Sequence, residues 1–400
     1  MLAPLRLRDF RLLWTGQLLS NLGSWLLVVA VPYRVFEQTG SAAATALAFV
    51  AASAPSLVLA PFAGMLVDRW DRRRTMLCVD LGRAAAILPL LGAHDLWVVY
   101  AVLLAESVLG QLFDPAAQSL VPTLVGRGPE LAAANGLLWV IEAVGRLGGA
   151  ALGGLVVAAW GLGTAVALDA GTYLASALTL LLITPPGRSD PARTSGHPGA
   201  ELHRGIRHLV AGRDLRGLFV LTVVFRAANG ALTALLVPYV ALRLHGSAGA
   251  LGLLLAATGA GFLLGAPMAR EAARRWGLRA TTAWSLVATG VGFLAWFNTG
   301  RLAAALALAA CTGAAAVVFL ATRTTHLQVL TPDRLLGRVS AGFLAAGAAA
   351  TLAGTALGGG AAGVAGLAPV ASAAGLALAG AGALALLLLT GDPDPRRAAR

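Results

Sequence analysis

Lysine is absent from this 400-residue chain, so all 30 of its basic side chains are arginine. Without lysine, a Walker A loop lacks the side chain that reaches the nucleotide phosphates, and no Schiff base can form. ATP hydrolysis within the chain is thereby excluded. Cysteine is nearly absent. Cys78 and Cys311 stand far apart in apolar segments, without C-x-x-C or zinc spacing. They are expected as buried small hydrophobes. The six histidines are scattered and form no H-E-x-x-H or comparable set. No metal, no cofactor and no enzymatic nucleophile–base arrangement is expected. Charge of any sign is scarce, at 12% of residues.

Apolar sequence fills the space. The chain is 58% hydrophobic, with a mean hydropathy of +0.78. A soluble fold cannot bury that much, and runs of about 20 apolar residues read as membrane helices. Twelve are expected, near 12–33, 45–67, 76–93, 96–118, 135–158, 162–183, 218–241, 250–269, 281–299, 302–322, 340–361 and 368–389. The first run, from about Leu12, is too long for a cleavable leader and reads as the first membrane helix. The net charge of +12 invites a nucleic-acid reading. Its distribution argues against one. Counted from a cytoplasmic N-terminus, 24 of the 30 arginines fall on one side and Arg34, Arg243 and Arg301 on the other. Arg83, Arg146 and Arg226 fall inside spans. The positive-inside rule places both termini in the cytoplasm and the chain in the cytoplasmic (inner) membrane.

The expected class is therefore an all-α membrane protein with two six-helix bundles, 1–184 and 218–390. Between them lies a cytoplasmic linker, 185–217, and after them a tail, 391–400. The linker begins as flexible "PPGRSDPARTSGHPG". It ends as an amphipathic stretch, with Leu202, Ile206, Leu209 and Val210 on one stripe. The two halves echo one another. "GAALGG" at 149–154 returns as "GTALGG" at 354–359, and "QSLVP" at 118–122 as "QVLTP" at 328–332. Pro61, Trp70 and Thr75 return as Pro267, Trp276 and Thr281. Ordered matches on equivalent helices indicate duplication, an arrangement used by transporters.

One stretch spends charge heavily: "GMLVDRWDRRR", 64–74. With its apolar flanks it resembles the loop signature G-x-x-x-D-R-x-G-R-[RK] of the major facilitator superfamily. Gly64, Asp68, Arg69, Arg72 and Arg73 match, and Asp71 stands where the second Gly is usual. "GRLGGAALGG" at 145–154 resembles the superfamily's antiporter motif, with Ala150 in place of Pro. "RDFRLLWTGQLLSNLGSWL", "FDPAAQSLVPTLV" and "TPDRLLGRVSAGF" resemble the macrolide-efflux and enterobactin-exporter branch. The resemblance covers roughly residues 5–390. It implies alternating access and export of a small amphipathic molecule in exchange for protons, by a monomer in the lipid bilayer. It further implies that Gly64, Asp68, Arg69 and Arg72 act as a cytoplasmic latch. Asp114 is then a candidate partner for Arg72, and Arg73 either joins the latch or anchors the loop. Symport, lysophospholipid flipping and a non-transporting membrane sensor are the alternatives on the same fold. The branch often carries an acid directly after Gly23. Here Ser24 stands there.

Ionisable residues inside spans are costly and mark functional positions. Glu106, about 15 Å into the fourth span, has no local partner in sequence. A buried carboxylate of that kind favours its protonated form. Glu142 and Arg146 form an i,i+4 pair, read either as self-neutralising or as proton-linked. Asp169 is a third proton-coupling candidate, or a hydrogen-bonded helix-end residue. Gly145, Gly149, Gly153 and Gly154 make a small-residue face for packing the fifth helix, on the eleventh by the mirror relation. Gln17, Asn21, Trp25, Arg226 and Asn229 are candidates for a substrate cavity.

Overall fold

A computed structural model describes residues 3–67, 70–93, 95–126, 129–184, 212–331 and 333–389. Among them the chain forms α-helices, two 3₁₀ turns (Ala3–Arg6 and Leu88–Leu91) and one π turn, with no strand. The helices are α1 (Arg8–Thr39), α2 (Ala42–Val67), α3 (Arg72–Ile87), α4 (Leu96–Val125), α5 (Pro129–Val144) and α6 (Ala150–Leu182). They continue as α7 (Arg213–Leu242), α8 (Ala248–Trp276), α9 (Leu278–Asn298), α10 (Leu302–Leu330), α11 (Asp333–Ala365) and α12 (Leu367–Leu388). The amphipathic stretch around 202–210 lies outside the described residues.

Among the described residues, ten stretches are long and apolar enough to cross a bilayer. One of them, Ala133–Leu182, has 50 residues. At a 1.5 Å rise that is about 75 Å, more than twice a hydrocarbon core of about 30 Å. Gly161 breaks it, with φ 79° and ψ 177° inside α6. The same left-handed turn recurs 205 residues later at Gly366, φ 86° and ψ 165°, before α12. An L side chain is strained at both positions. The spacing equals that of "GAALGG" and "GTALGG", so the duplication extends to the backbone. The third expected span is not among the ten because α3 is only 16 residues long, the 3₁₀ turn Leu88–Leu91 following it directly. Arg72, Arg73, Arg74, Asp80 and Arg83 all lie in α3.

The chain groups into two compact units. One comprises Met1–Gly40, Leu47–Arg193 and Gly246–Ala256; the other comprises Ser41–Ala46, Thr194–His245 and Ala257–Arg400. In the first unit, α1 packs along α6 and the π turn, and α3 packs on α4 and α6. In the second, α7 packs along α11 and α12, and α9 packs on α10 and α12. The same pairs recur six helices on.

The start of α3 shows how the charged loop is built. Asp71 is its N-cap, and its Oδ1 accepts from the Arg74 amide at 2.8 Å. A carboxylate there satisfies an orphan donor and meets the positive end of the helix dipole. This explains the acid at a position where glycine is usual: it caps α3. Arg73 Nε and Nη2 donate to the last carbonyls of α6, Leu180 and Leu181, at 2.6 and 2.7 Å. Asp71→Ala is expected to cost about 1 kcal/mol and Asp71→Gly only a few tenths. Thermal melts of the purified protein check this, and equal melts for the alanine variant and wild type refute it. Cys78 and Cys311, expected inside, are exposed on their helices, where a membrane protein meets lipid.

Candidate functional site

Four helices of the first unit meet at one polar network. Arg83 of α3 forms an ion pair with Glu106 of α4, its Nε donating to Oε1 at 2.9 Å. Both side chains are largely buried, at 14% and 21% exposure. The Tyr173 hydroxyl, from α6, donates to the same carboxylate oxygen at 2.9 Å. The Tyr173 hydroxyl also lies 2.9 Å from Ser24 Oγ of α1. The Arg83 guanidinium sits 4.5 Å from the Tyr173 ring centroid, at cation–π range. The expectation that Glu106 stands alone is therefore corrected. Its cation comes from the neighbouring helix, 23 residues away in sequence, where no helical periodicity could place it.

Two further carboxyls lie buried beside this network. Asp169, on the turn of α6 before Tyr173, receives a hydrogen bond from Thr172 Oγ1 at 3.2 Å on one oxygen. Its other oxygen is buried without a partner. Gly23 packs directly on Asp169 and Thr172, leaving no room for a Cβ. Asp80, on α3 one turn before Arg83, is fully buried, with Ser176 of α6 beside its carboxyl. The sequence pointed at Glu106 and Asp169. It gave Asp80 and Arg83 no assigned role and missed Tyr173. The signal for Tyr173 was its i+4 spacing from Asp169 in a chain with only four tyrosines.

A second group runs along α1 and α5. Gln17, Asn21 and Ser24 fall on one stripe of α1. Asn21 Nδ2 donates to Glu142 at 3.4 Å, and Glu142 pairs with Arg146 at 3.9 Å. Arg146 lies 5.3 Å from the Trp25 ring centroid. Gln17 Nε2 and Asn21 Oδ1 are buried without partners. The π turn Gly145–Gly149 carries Arg146. Such turns concentrate at functional sites because they break the helical ladder and redirect side chains.

The motif glycines pack differently from the expectation. Cβ atoms at Gly149 and Gly153 would lie 2.6 Å from Trp25 Cβ and 2.9 Å from Leu26 Cα, so this face belongs to α1. Gly145 likewise backs onto Asn21 and Trp25. Gly154 faces Gly249 and Gly252 within the same unit. In the second unit, Gly354 and Gly358 pack on Ala227 and Ala231 of α7. Through this face the fifth helix thus seats on the first, as the eleventh seats on the seventh. Close backbone approach requires the missing side chain.

Among the described ion pairs, none joins Arg72 to Asp114. Arg72 Nη1 donates to the Ser119 carbonyl at 3.0 Å. Ser119 lies five residues past Asp114, level with the start of α3. Asp68 and Arg69 lie outside the described residues, and of Gly64 only its place in α2 is described. In the second unit, Arg226 runs alongside Gly347 of α11, and the Asn229 carbonyl accepts from Thr233. Phe225 is buried against Phe319 at 4.9 Å and is a packing residue.

Residues 1–394 match the family described as transmembrane secretion effector, a branch of the major facilitator superfamily. The chain belongs to that family. The enterobactin exporter EntS of Citrobacter koseri is 29% identical, covering 96% of this chain and 92% of its own length. The multidrug efflux pump Tap of Mycolicibacterium fortuitum is 28% identical, over 80% and 81%. The macrolide efflux protein A of Streptococcus pyogenes is 28% identical, and the chain spans about half (54%) of its length. Among solved structures, a bacterial homologue of the iron transporter ferroportin in an inward-facing state superposes with a TM-score of 0.75. That match covers 95% of this chain and 99% of the homologue at 16% identity. At that identity the likeness shows the fold alone. The family and these relatives are membrane transporters, which accounts for the absence of any enzymatic motif in the sequence.

Proposed function

We propose that this transmembrane secretion effector is a proton-coupled exporter of small amphipathic molecules, of the drug or siderophore type. It works by alternating access, as a monomer with twelve crossings and both termini in the cytoplasm. The observation that carries the coupling is the charge count around Arg83. Arg83 pairs with the largely buried Glu106, and two fully buried carboxyls, Asp169 and Asp80, lie on the helices that meet there. Ionising all three in a low-dielectric interior is expensive. Glu106 holds the arginine, and the surplus carboxyls are where protons load and leave. Ser24 joins through Tyr173, so the missing acid of α1 is supplied from α4 and α6. Glu142 and Arg146, with Gln17, Asn21 and Trp25, line the cargo path along α1. In this reading Asp68 and Arg69 form the cytoplasmic latch.

The relatives' export of macrolides, enterobactin and drugs supports the direction. Reconstitution tests it. Vesicles carrying the protein should move ethidium against its gradient when a pH gradient is imposed, and a protonophore should stop them. Asp169→Asn should lose at least about 90% of gradient-driven transport while retaining passive counterflow, because a neutral amide cannot carry the proton. Wild-type pH dependence in Asp169→Asn would refute its role. Accumulation in the opposite sense would identify a symporter.

A further inference from the structure

Within the second unit, α8, α9 and α10 each turn one stripe toward a common groove of about 600 Å³, open to the surface. On α8 the stripe is Gly261, Leu264, Met268, Ala272 and Trp276, which follow one another at helical spacing. Small residues let the helices close at the floor. Gly261 and Gly265 sit on the backbone of Ala310 and Ala314 in α10, where no Cβ would fit. Large ones stand at one end, where Trp276 and Trp284 are 67% and 58% exposed. The two hydroxyls of the groove are spent on their own helix. Thr281 donates to the Gly277 carbonyl and Ser285 to the Thr282 carbonyl. The walls therefore offer contacts that a hydrocarbon chain satisfies.

We propose that this groove binds an anionic phospholipid, with one acyl chain along α8 and the phosphate at the Trp276 end. Charge is arranged for that end. The last turn of α8 carries Arg274 and Arg275 beside Trp276, against the one carboxylate of Glu271. Glu271 takes Nε and Nη2 of Arg274 but only Nε of Arg275. The two Nη groups of Arg275 have no protein partner among the described residues. Arg275 lies seven residues past Met268, on the stripe that lines the groove. An excess of positive charge, with donors left over, thus stands at the mouth of an apolar channel. Guanidinium donors pair with phosphate oxygens, and tryptophan favours the headgroup level.

The length fits as well. From Gly261 to Trp276 the stripe runs about 22 Å along the helix. One leaflet of the hydrocarbon core is about 15 Å deep. An acyl chain therefore lies within the groove for its whole depth. A chain on a flat helix face touches protein on one side only. Here three helices touch it, and the dispersion contacts add up. On the orientation proposed above, α8 ends at the cytoplasmic face, which puts the lipid in the inner leaflet.

Native mass spectrometry of the purified protein tests this. The detergent micelles carry equal amounts of phosphatidylglycerol and phosphatidylcholine with the same chains. Wild type should retain one phosphatidylglycerol in preference to phosphatidylcholine. Ala288→Trp fills the groove from an exposed lining position and should lose that lipid. Leu344→Trp, at an exposed position of α11 outside the groove, should keep it. Arg275→Gln should still hold a lipid, with the preference cut about fivefold, the worth of one arginine near a lipid surface. Arg275→Lys should restore most of the preference. No preference in wild type, or equal retention by Ala288→Trp and Leu344→Trp, overturns the site. An unchanged preference in Arg275→Gln overturns the headgroup assignment. Ethidium that displaces phosphatidylglycerol from wild type assigns the groove to cargo and overturns the lipid. None of these outcomes depends on transport, so a failure of pH-driven ethidium movement leaves the lipid site standing.

Discussion

Arg83→Leu is expected to abolish transport, by more than about 100-fold, and to destabilise the first unit by about 3–5 kcal/mol. The magnitude is that of breaking a largely buried pair and leaving its partner uncompensated. Arg83 is the cation within hydrogen-bond reach of Glu106, and it also packs on the Tyr173 ring. Its loss leaves Glu106 without its cation and removes a link between α3 and both α4 and α6. Glu106→Gln alone should be milder in stability, because a neutral amide can still accept from Tyr173 and Arg83. The double variant Arg83→Leu/Glu106→Leu should recover part of the stability but none of the pH-driven transport. Melting temperatures of the three proteins and their ethidium transport form the test. Transport by Arg83→Leu at more than a tenth of wild type would remove the network from the mechanism.

The second large effect lies at Gly153. A Cβ there would sit 2.9 Å from the Leu26 Cα and 3.1 Å from the Leu26 carbonyl oxygen. Those atoms are backbone and cannot rotate away, so Gly153→Val must push α1 and α6 apart. Overpacking of this kind costs about 1–3 kcal/mol, and more where no side chain can yield. The same displacement moves Asn21 and Trp25 away from Glu142 and Arg146. Gly153→Val should therefore express poorly and melt earlier than wild type. Gly358→Val should behave alike, since its Cβ would lie 2.6 Å from the Ala231 Cα in α7. Gly171, beside open space, is the control: Gly171→Ala should be tolerated. A normal melt for Gly153→Val refutes the packing argument.

The sequence by itself determined what depends on composition and period. Apolar runs of bilayer length, the arginine asymmetry and the ordered echoes at offsets near 205 required no coordinates. The charged stretch at 64–74 and the glycine motif at 145–154 were legible as family signatures for the same reason: each is a local string. Tertiary structure alone decided who faces whom. Glu106 looked unpartnered because Arg83 is 23 residues away on another helix, and Tyr173 is 67 residues away on a third. Asp71 looked like spare charge on a latch until the backbone made it the N-cap of α3. The motif glycines looked outward along the symmetry of the sequence, yet their face is closed by Trp25 and Leu26 of α1. Hydropathy reports how deep a residue can sit, and helical period reports its side of the helix. Neither reports the neighbour on that side. In a bundle of apolar helices, that neighbour decides whether a buried charge is paired or protonated.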